Sequence, residues 1–284
     1  MKITVLGCGN AFSRKSFNQC FLVEEGKSVM LVDCGQKAID ALIAAGRKPS
    51  EITDVYISHA HGDHIGAMEE LAFLRYDWKN RPKRWDENPG TPYAPRLYTN
   101  ALLMKELWDK SLRGGLESME GFVATLDTFY ETHPVEGNSC FMWEGWECKL
   151  IQQIHIMTGS TIAWTFGLFM SKVGHKSVYF TTDSQHVSPK QMEVFYKEAD
   201  IIFQDCECTP WMSGVHANYA QLAGYPEANS VKLPSETKQK MYLSHYQDFV
   251  LDGKDALGKD CDWDLKAFND GFAGFVRVGD NFEI

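Results

Sequence analysis

One stretch, Ser58-His59-Ala60-His61-Gly62-Asp63-His64, constrains this chain more than any other. Three imidazoles and a carboxylate fall within the six positions from His59 to His64. A buried histidine needs a partner for each ring nitrogen, and three together in a core would be costly to desolvate. Neutral imidazole and carboxylate are common zinc ligands, so a divalent metal site accounts for the density. The preceding run Asp54-Val55-Tyr56-Ile57 reads as a buried strand, and Ile65 to Leu71 as a helix with Ile65, Met68 and Leu71 on one face. The motif is thus expected on the turn leaving a strand end, where α/β proteins place their chemistry.

This HxHxDH run after an apolar strand resembles the signature of the metallo-β-lactamase superfamily. The chain's opening is similar as well: strand Lys2–Leu6, glycine loop Gly7–Ser13, strands Cys20–Val23 and Val29–Val32, then Asp33-Cys34-Gly35 and a helix over 36–45. The resemblance implies an α/β fold, the four-layer αββα sandwich, as one domain over residues 1–284. It also implies two divalent ions, with zinc the default for a nitrogen-rich ligand set and manganese the alternative. His59, His61 and His155 are then expected on one ion, Asp63, His64 and His245 on the other, and Asp183 between them. His155 follows the apolar run 150–154, Asp183 ends a strand over 176–181, and His245 ends a strand over 241–244. His133, His175 and His186 fit no position of the pattern.

Composition narrows the class. The formal charge of 28 − 38 = −10 is a poor starting field for binding many phosphates of an extended nucleic acid. A mean hydropathy of −0.30 and 44% hydrophobic residues suit a soluble globular protein. No apolar run approaches the roughly 20 residues that span a bilayer, and the N-terminus lacks the core of a signal peptide. Eight cysteines are scattered without a CxxC pair, and Cys206 and Cys208 stand too close for an ordinary disulfide. They are expected as reduced, buried thiols, which places the chain in the cytoplasm, or in a host's cytoplasm if a phage encodes it. The glycines of 7–13 are expected to make a plain tight turn rather than a phosphate cradle.

Two groups point to a branch. Asp205-Cys206-Glu207-Cys208-Thr209 sits at a strand end, and Ser213-Gly214-Val215-His216-Ala217 follows and is expected to open a helix. RNase Z-like phosphodiesterases of the superfamily carry a Glu and a Gly…His there. By that resemblance His216 acts on the phosphate and its leaving oxygen, Glu207 orients it, and Asp63 bears on both metal and hydroxide. Val215 separates Gly214 from His216, and Asp205 and Cys206 stand where other members differ. Among relatives acting on small phosphodiesters, the chain most resembles the phage and bacterial anti-Pycsar group, which destroys 3′,5′-cyclic nucleotide signals through a hydroxide bridging two metals. An RNase Z-like tRNA 3′-processing endonuclease is the alternative, and a lactonase or thioesterase using the same metals on a carbonyl is a further one.

The segment 76–95 is basic, aromatic and turn-rich. It is expected to form a lid or an arm to a second subunit of a homodimer, with Trp78, Arg81 or Trp85 near the interface or the substrate entrance. Tryptophan, tyrosine and arginine are the residues favoured at interface hot spots.

Overall fold

The computed structural model describes residues 1–76, 94–137, 139–187, 189–228, 230 and 232–284. Trp78, Arg81 and Trp85 of the expected arm lie outside the described residues.

The chain opens with β1 (Lys2–Gly7), β2 (Cys20–Glu25) and β3 (Ser28–Val32), an antiparallel meander. Helix α1 (Ala38–Ala44) leads to β4 (Asp54–Tyr56), parallel to β3. The expected helix after the motif is two pieces, α2 (Gly62–Ile65) and α3 (Met68–Arg75), broken at Gly66 and Ala67. A Cβ at Gly66 would stand 2.4 Å from the carbonyl oxygen of Gly62, so the tight approach there needs glycine. Strand β5 (Arg96–Asn100) is followed by α4 (Ala101–Leu107), a π-helical turn over Trp108–Leu112 and α5 (Arg113–Leu116). The stretch 121–131 holds little strand. A small hairpin of β6 (Ser118–Met119) and β7 (Phe122–Val123) precedes β8 (Glu131–Val135), which pairs with β5.

The second sheet starts with β9 (Cys140–Trp143), β10 (Trp146–Thr158) and β11 (Thr161–Ser171), again antiparallel. Strand β12 (Val178–Thr182), helix α6 (Pro189–Glu198) and β13 (Ile201–Asp205) continue it in parallel. Helices α7 (Tyr219–Ala223) and α8 (Ser235–Lys238) lead to β14 (Met241–Ser244), and α9 (Trp263–Asn269) to β15 (Gly274–Phe275). Strand β16 (Asn281–Glu283) returns to the first sheet beside β1. The two seven-stranded sheets, flanked by helices, form the expected αββα sandwich.

Apolar alternation faces the sheets together. Phe21 of the first sheet lies 5.0 Å from Phe180 and 4.8 Å from Phe203 of the second, ring centre to ring centre. Tyr56 donates across to the carbonyl of Phe166 at 2.7 Å, satisfying a buried hydroxyl. Both sheets are mixed, and their parallel strands β3, β4, β12, β13 and β14 end toward one edge, the topological setting of α/β active sites. Three non-glycine residues at those ends hold left-handed backbone: Asp33 at φ 62°, Thr182 at 55° and His245 at 61°. Such conformations cost of order 1–3 kcal/mol each and concentrate at functional sites.

Gly35 fixes the motif's depth. Cys34 N–H donates to the carbonyl of His64 at 2.7 Å, and a Cβ on Gly35 would stand 1.8 Å from the carbonyl oxygen of Asp63. Backbone cannot yield as a side-chain tip can. Gly35→Ala should therefore destabilise the fold by about 1–3 kcal/mol, seen as a lower Tm and weaker metal uptake. Gly62→Ala, whose Cβ would meet only the Gln36 amide at 3.1 Å, should cost far less. Equal melting of the two variants would contradict this packing.

Candidate metal centre

The strand ends deliver histidines and carboxylates into one buried volume. His59 follows β4, and its neighbour Ser58 is pinned by Asp33 at the end of β3. The Asp33 carboxylate accepts the Ser58 backbone N–H and hydroxyl, both at 2.9 Å, and the Nδ1–H of His64 at 2.8 Å. Since the Ser58 hydroxyl proton goes to Asp33, its oxygen accepts from Nδ1 of His59 at 3.0 Å. His155 is inside β10 rather than at its end; a bulge between Ile154 and Ile156 turns it inward. Its Nδ1 donates to the carbonyl of Val215 at 3.2 Å. In each of these three rings the Nδ1 bond leaves Nε2 as the nitrogen turned into the cluster, which is how metal-binding histidines are held.

Two clusters result. Nε2 of His59 and Nε2 of His155 lie 3.1 and 3.0 Å from Nδ1 of His61. In the second, Nε2 of His64 is 3.1 Å from Asp183 Oδ1 and 3.4 Å from Asp63 Oδ2. Nε2 of His245 is 3.3 Å from each of the same oxygens. Asp183 Oδ2 turns the other way, 3.8 Å from Nε2 of His59 and of His155. The structure thus brings together all seven residues read as ligands. Nε2 of His64 and Oδ1 of Asp183 are buried without a hydrogen-bond partner. A cation satisfies both, and the nitrogen-and-carboxylate donor set suits a divalent metal.

The protonation balance separates the clusters. Burial, and after it the neighbouring His64, holds His59 well below the usual imidazole range. Burial also lowers His61 and takes His155 down to about 4. These rings are neutral near pH 7, as ligands must be. In the second cluster burial opposes charge, but Asp183, Asp33 and Asp63 outweigh it and raise His64. Burial again opposes charge at His245, yet Asp183 and its fellow carboxylates raise it to about 10. Asp63 and Asp183 are pushed the other way, below the usual carboxylate range, because the histidines outweigh burial. Protons on His64 and His245 therefore stand where a dication would balance the same carboxylates.

His216 adjoins the second cluster. Its ring centre is 4.8 Å from that of His245, and its Nδ1 donates to Asp205 Oδ2 at 2.9 Å. Burial lowers its pKa, but Asp205 more than offsets this and the net shift is upward. The expected orienting carboxylate, Glu207, is elsewhere: its Oε2 accepts the backbone N–H of Ser213 at 3.0 Å, bracing the loop that carries His216. The reason is local. Asp205 ends β13 and points into the site, whereas Glu207 has left the strand and bridges to Asn218. Nor does His216 open a helix; Asn218 caps α7, which starts at Tyr219. A capping box of Asn218 and Gln221 was the available signal. His133, bonded to Glu131 at 2.8 Å, His175 and His186 join neither cluster. The glycine loop 7–13 is packed rather than open: Gly9 bridges to Asn18 and Tyr246, beside His245, and a Cβ there would strike Ser13 and Ser16.

A family model described as anti-Pycsar protein Apyc1 matches residues 1–277. The chain belongs to the anti-Pycsar Apyc1 family. An Apyc1 protein of Paenibacillus sp. (strain J14) is 28% identical over 261 residues, covering 91% of this chain and 94% of the relative. One from Bacillus phage vB_BsuM-Goe3 is 26% identical over 258 residues, 88% and 90% of the two chains. Among solved structures, the metallo-β-lactamase fold protein YhfI of Bacillus subtilis superposes with a TM-score of 0.67 at 17% identity, over 100% of this chain and 98% of that one. Human tRNase Z, short form, gives 0.64 at 14%, over 100% and 99%. These likenesses establish the fold, and family membership with the two clusters makes the chain a metal-dependent hydrolase. Among the described residues no helix is long and apolar enough to cross a membrane.

Asp33 belongs to neither cluster, yet it orients His64 and, through Ser58, His59. Asp33→Asn should weaken divalent-metal binding by about 10–100-fold, measured by competition with a chelating dye. Wild-type affinity in a folded variant would show that the Asp33 contacts do not orient the ligands.

Proposed function

We propose that this protein hydrolyses a small phosphodiester, a 3′,5′-cyclic nucleotide, using two divalent ions, zinc or manganese, held by the two clusters. The observation that carries the reading is His216: a histidine with Nδ1 tied to a carboxylate, standing against the ligand rings with 21% of its side chain still exposed. A hydrolase acting on a carbonyl with a good leaving group has no need of such a group. When bound, the ions supply Lewis-acid activation of water and neutralise charge on the phosphoryl oxygens.

The chain's own residues then divide the work. Asp63 Oδ2, between the rings of His64 and His245, is the assigned acceptor for the proton of the attacking water. His216 Nε2 is the assigned donor to the departing alkoxide, which cannot leave unprotonated at useful rates. Donation by a positioned side chain contributes typically 10²–10⁴-fold. The anti-Pycsar resemblance and the acidic net charge of −10 favour a cyclic nucleotide over a long RNA. The reduced thiols fit action in the cytoplasm.

Side-by-side assays of cyclic mononucleotides and a pre-tRNA should show turnover of the former. Cleavage of the pre-tRNA alone would overturn the substrate class, and hydrolysis confined to lactones or thioesters would overturn phosphodiester chemistry. His216→Ala should retain its metal and lose about 10²–10⁴-fold in kcat on the cyclic nucleotide. On bis(p-nitrophenyl) phosphate, whose nitrophenolate departs without a proton, it should lose far less. Equal loss on both substrates would remove His216 from the acid role.

The reading extends to a C2 homodimer, supported by the tryptophan- and arginine-rich composition of 76–95. Light scattering at micromolar concentration should give about twice the chain mass of 32.2 kDa; the single-chain mass would reject the dimer.

A further inference from the structure

Asp205 has more contacts than an orienting partner of His216 requires. Its carboxylate is fully buried. Oδ2 accepts two bonds at 2.9 Å, from Nδ1 of His216 and from the backbone N–H of Ser184, the residue after Asp183. Oδ1 lies 3.3 Å from Nδ1 of His245, and the two buried atoms face each other with no hydrogen-bond partner among the described residues. The backbone N–H of Asp205 is itself tied to Thr181 Oγ1 at 3.0 Å, so the carboxylate is anchored from both strands. The His216 loop is fastened to the same place, with Ala217 N–H donating to the carbonyl of Ser184 at 2.8 Å.

We propose that Asp205 is a positioning residue that couples the second metal cluster to the proton donor. One carboxylate directs Nδ1–H of His245, leaving Nε2 for the metal, and directs Nδ1–H of His216, leaving Nε2 for the leaving oxygen. The His245 half rests on metal binding alone; the His216 half rests on the phosphodiesterase reading. A carboxylate offers roughly four lone-pair sites and can serve all three donors at once. An amide has one acceptor oxygen, and its NH₂ can only donate. Asp205→Asn therefore leaves at least one histidine facing a donor, and that ring must turn or change tautomer.

The variant should show two separable defects. Titration with zinc should reveal one class of site weakened by about 10–100-fold, the usual cost of removing an outer partner from a metal-binding histidine. At saturating zinc, kcat on a 3′,5′-cyclic nucleotide should fall by about 10²–10³-fold, while bis(p-nitrophenyl) phosphate turnover changes by only a few fold. His216→Ala should reproduce the second defect and keep both zinc sites. Asp205→Asn with both zinc sites at wild-type affinity, or with an unchanged cyclic-nucleotide rate, overturns the coupling. If the wild type hydrolyses neither ester, the phosphodiesterase reading has failed, and the zinc titration still decides the His245 half. A variant that melts below assay temperature does not end the test. In zinc-loaded wild type, ¹⁵N spectra of the histidine rings should show Nδ1 protonated on both His216 and His245, and an unprotonated Nδ1 on either overturns the proposal.

Discussion

A single buried carboxylate holds the site together. Asp183 sends Oδ1 to His64 and His245 and Oδ2 toward His59 and His155. Each oxygen faces a different histidine cluster, so the clusters share one negative charge at their junction. Taking that charge out of water costs several kcal/mol unless it is paired. The protein pairs it with imidazolium on one side and neutral lone pairs on the other. That asymmetry suits two cations: burial holds His59, His61 and His155 neutral, as ligands must be, and a cation on the other side replaces the protons of His64 and His245.

The rest of the architecture serves this convergence. Two sheets are closed on an aromatic core, with Phe21 wedged against Phe180 and Phe203, and their parallel strands end at the same edge. Asp33, Thr182 and His245 accept left-handed backbone there because the strands must stop abruptly and turn side chains inward. Thr182 is β-branched and gains nothing locally from that conformation, so tertiary packing must hold it. Outer carboxylates then set the rings: Asp33 sets His64 and Ser58, and Asp205 lies against His216 and His245.

Much of this is legible in the sequence, for reasons that differ residue by residue. His59, His61, Asp63 and His64 are close in the chain, so their shared purpose shows as local density. His155, Asp183 and His245 are far apart and become legible through order and resemblance, since a lone strand-end histidine or aspartate says little. Asp33 and Asp205 close an apolar run as Asp183 does, at Val32-Asp33, Gln204-Asp205 and Thr182-Asp183. That repetition was a readable signal, but the contacts to His64 and His216 form only across strands. The exchange of Glu207 for Asp205 shows the limit. Two residues apart, the carboxylates are equivalent in one dimension, and only the end of β13 decides which one enters the site. The break in the helix expected over 65–71 has a similar origin, since a Cβ at Gly66 would stand 2.5 Å from Gln36 Cγ, a long-range contact that an apolar pattern does not record.

Anomalous scattering from a zinc-loaded crystal tests the account most directly. It predicts two peaks for each chain. One should lie among His59 Nε2, His61 Nδ1 and His155 Nε2, the other among Asp63, His64 and His245, with the Asp183 carboxylate between them. A single peak, or two peaks with Asp183 turned away from both, would contradict the claim that one carboxylate joins two metal sites.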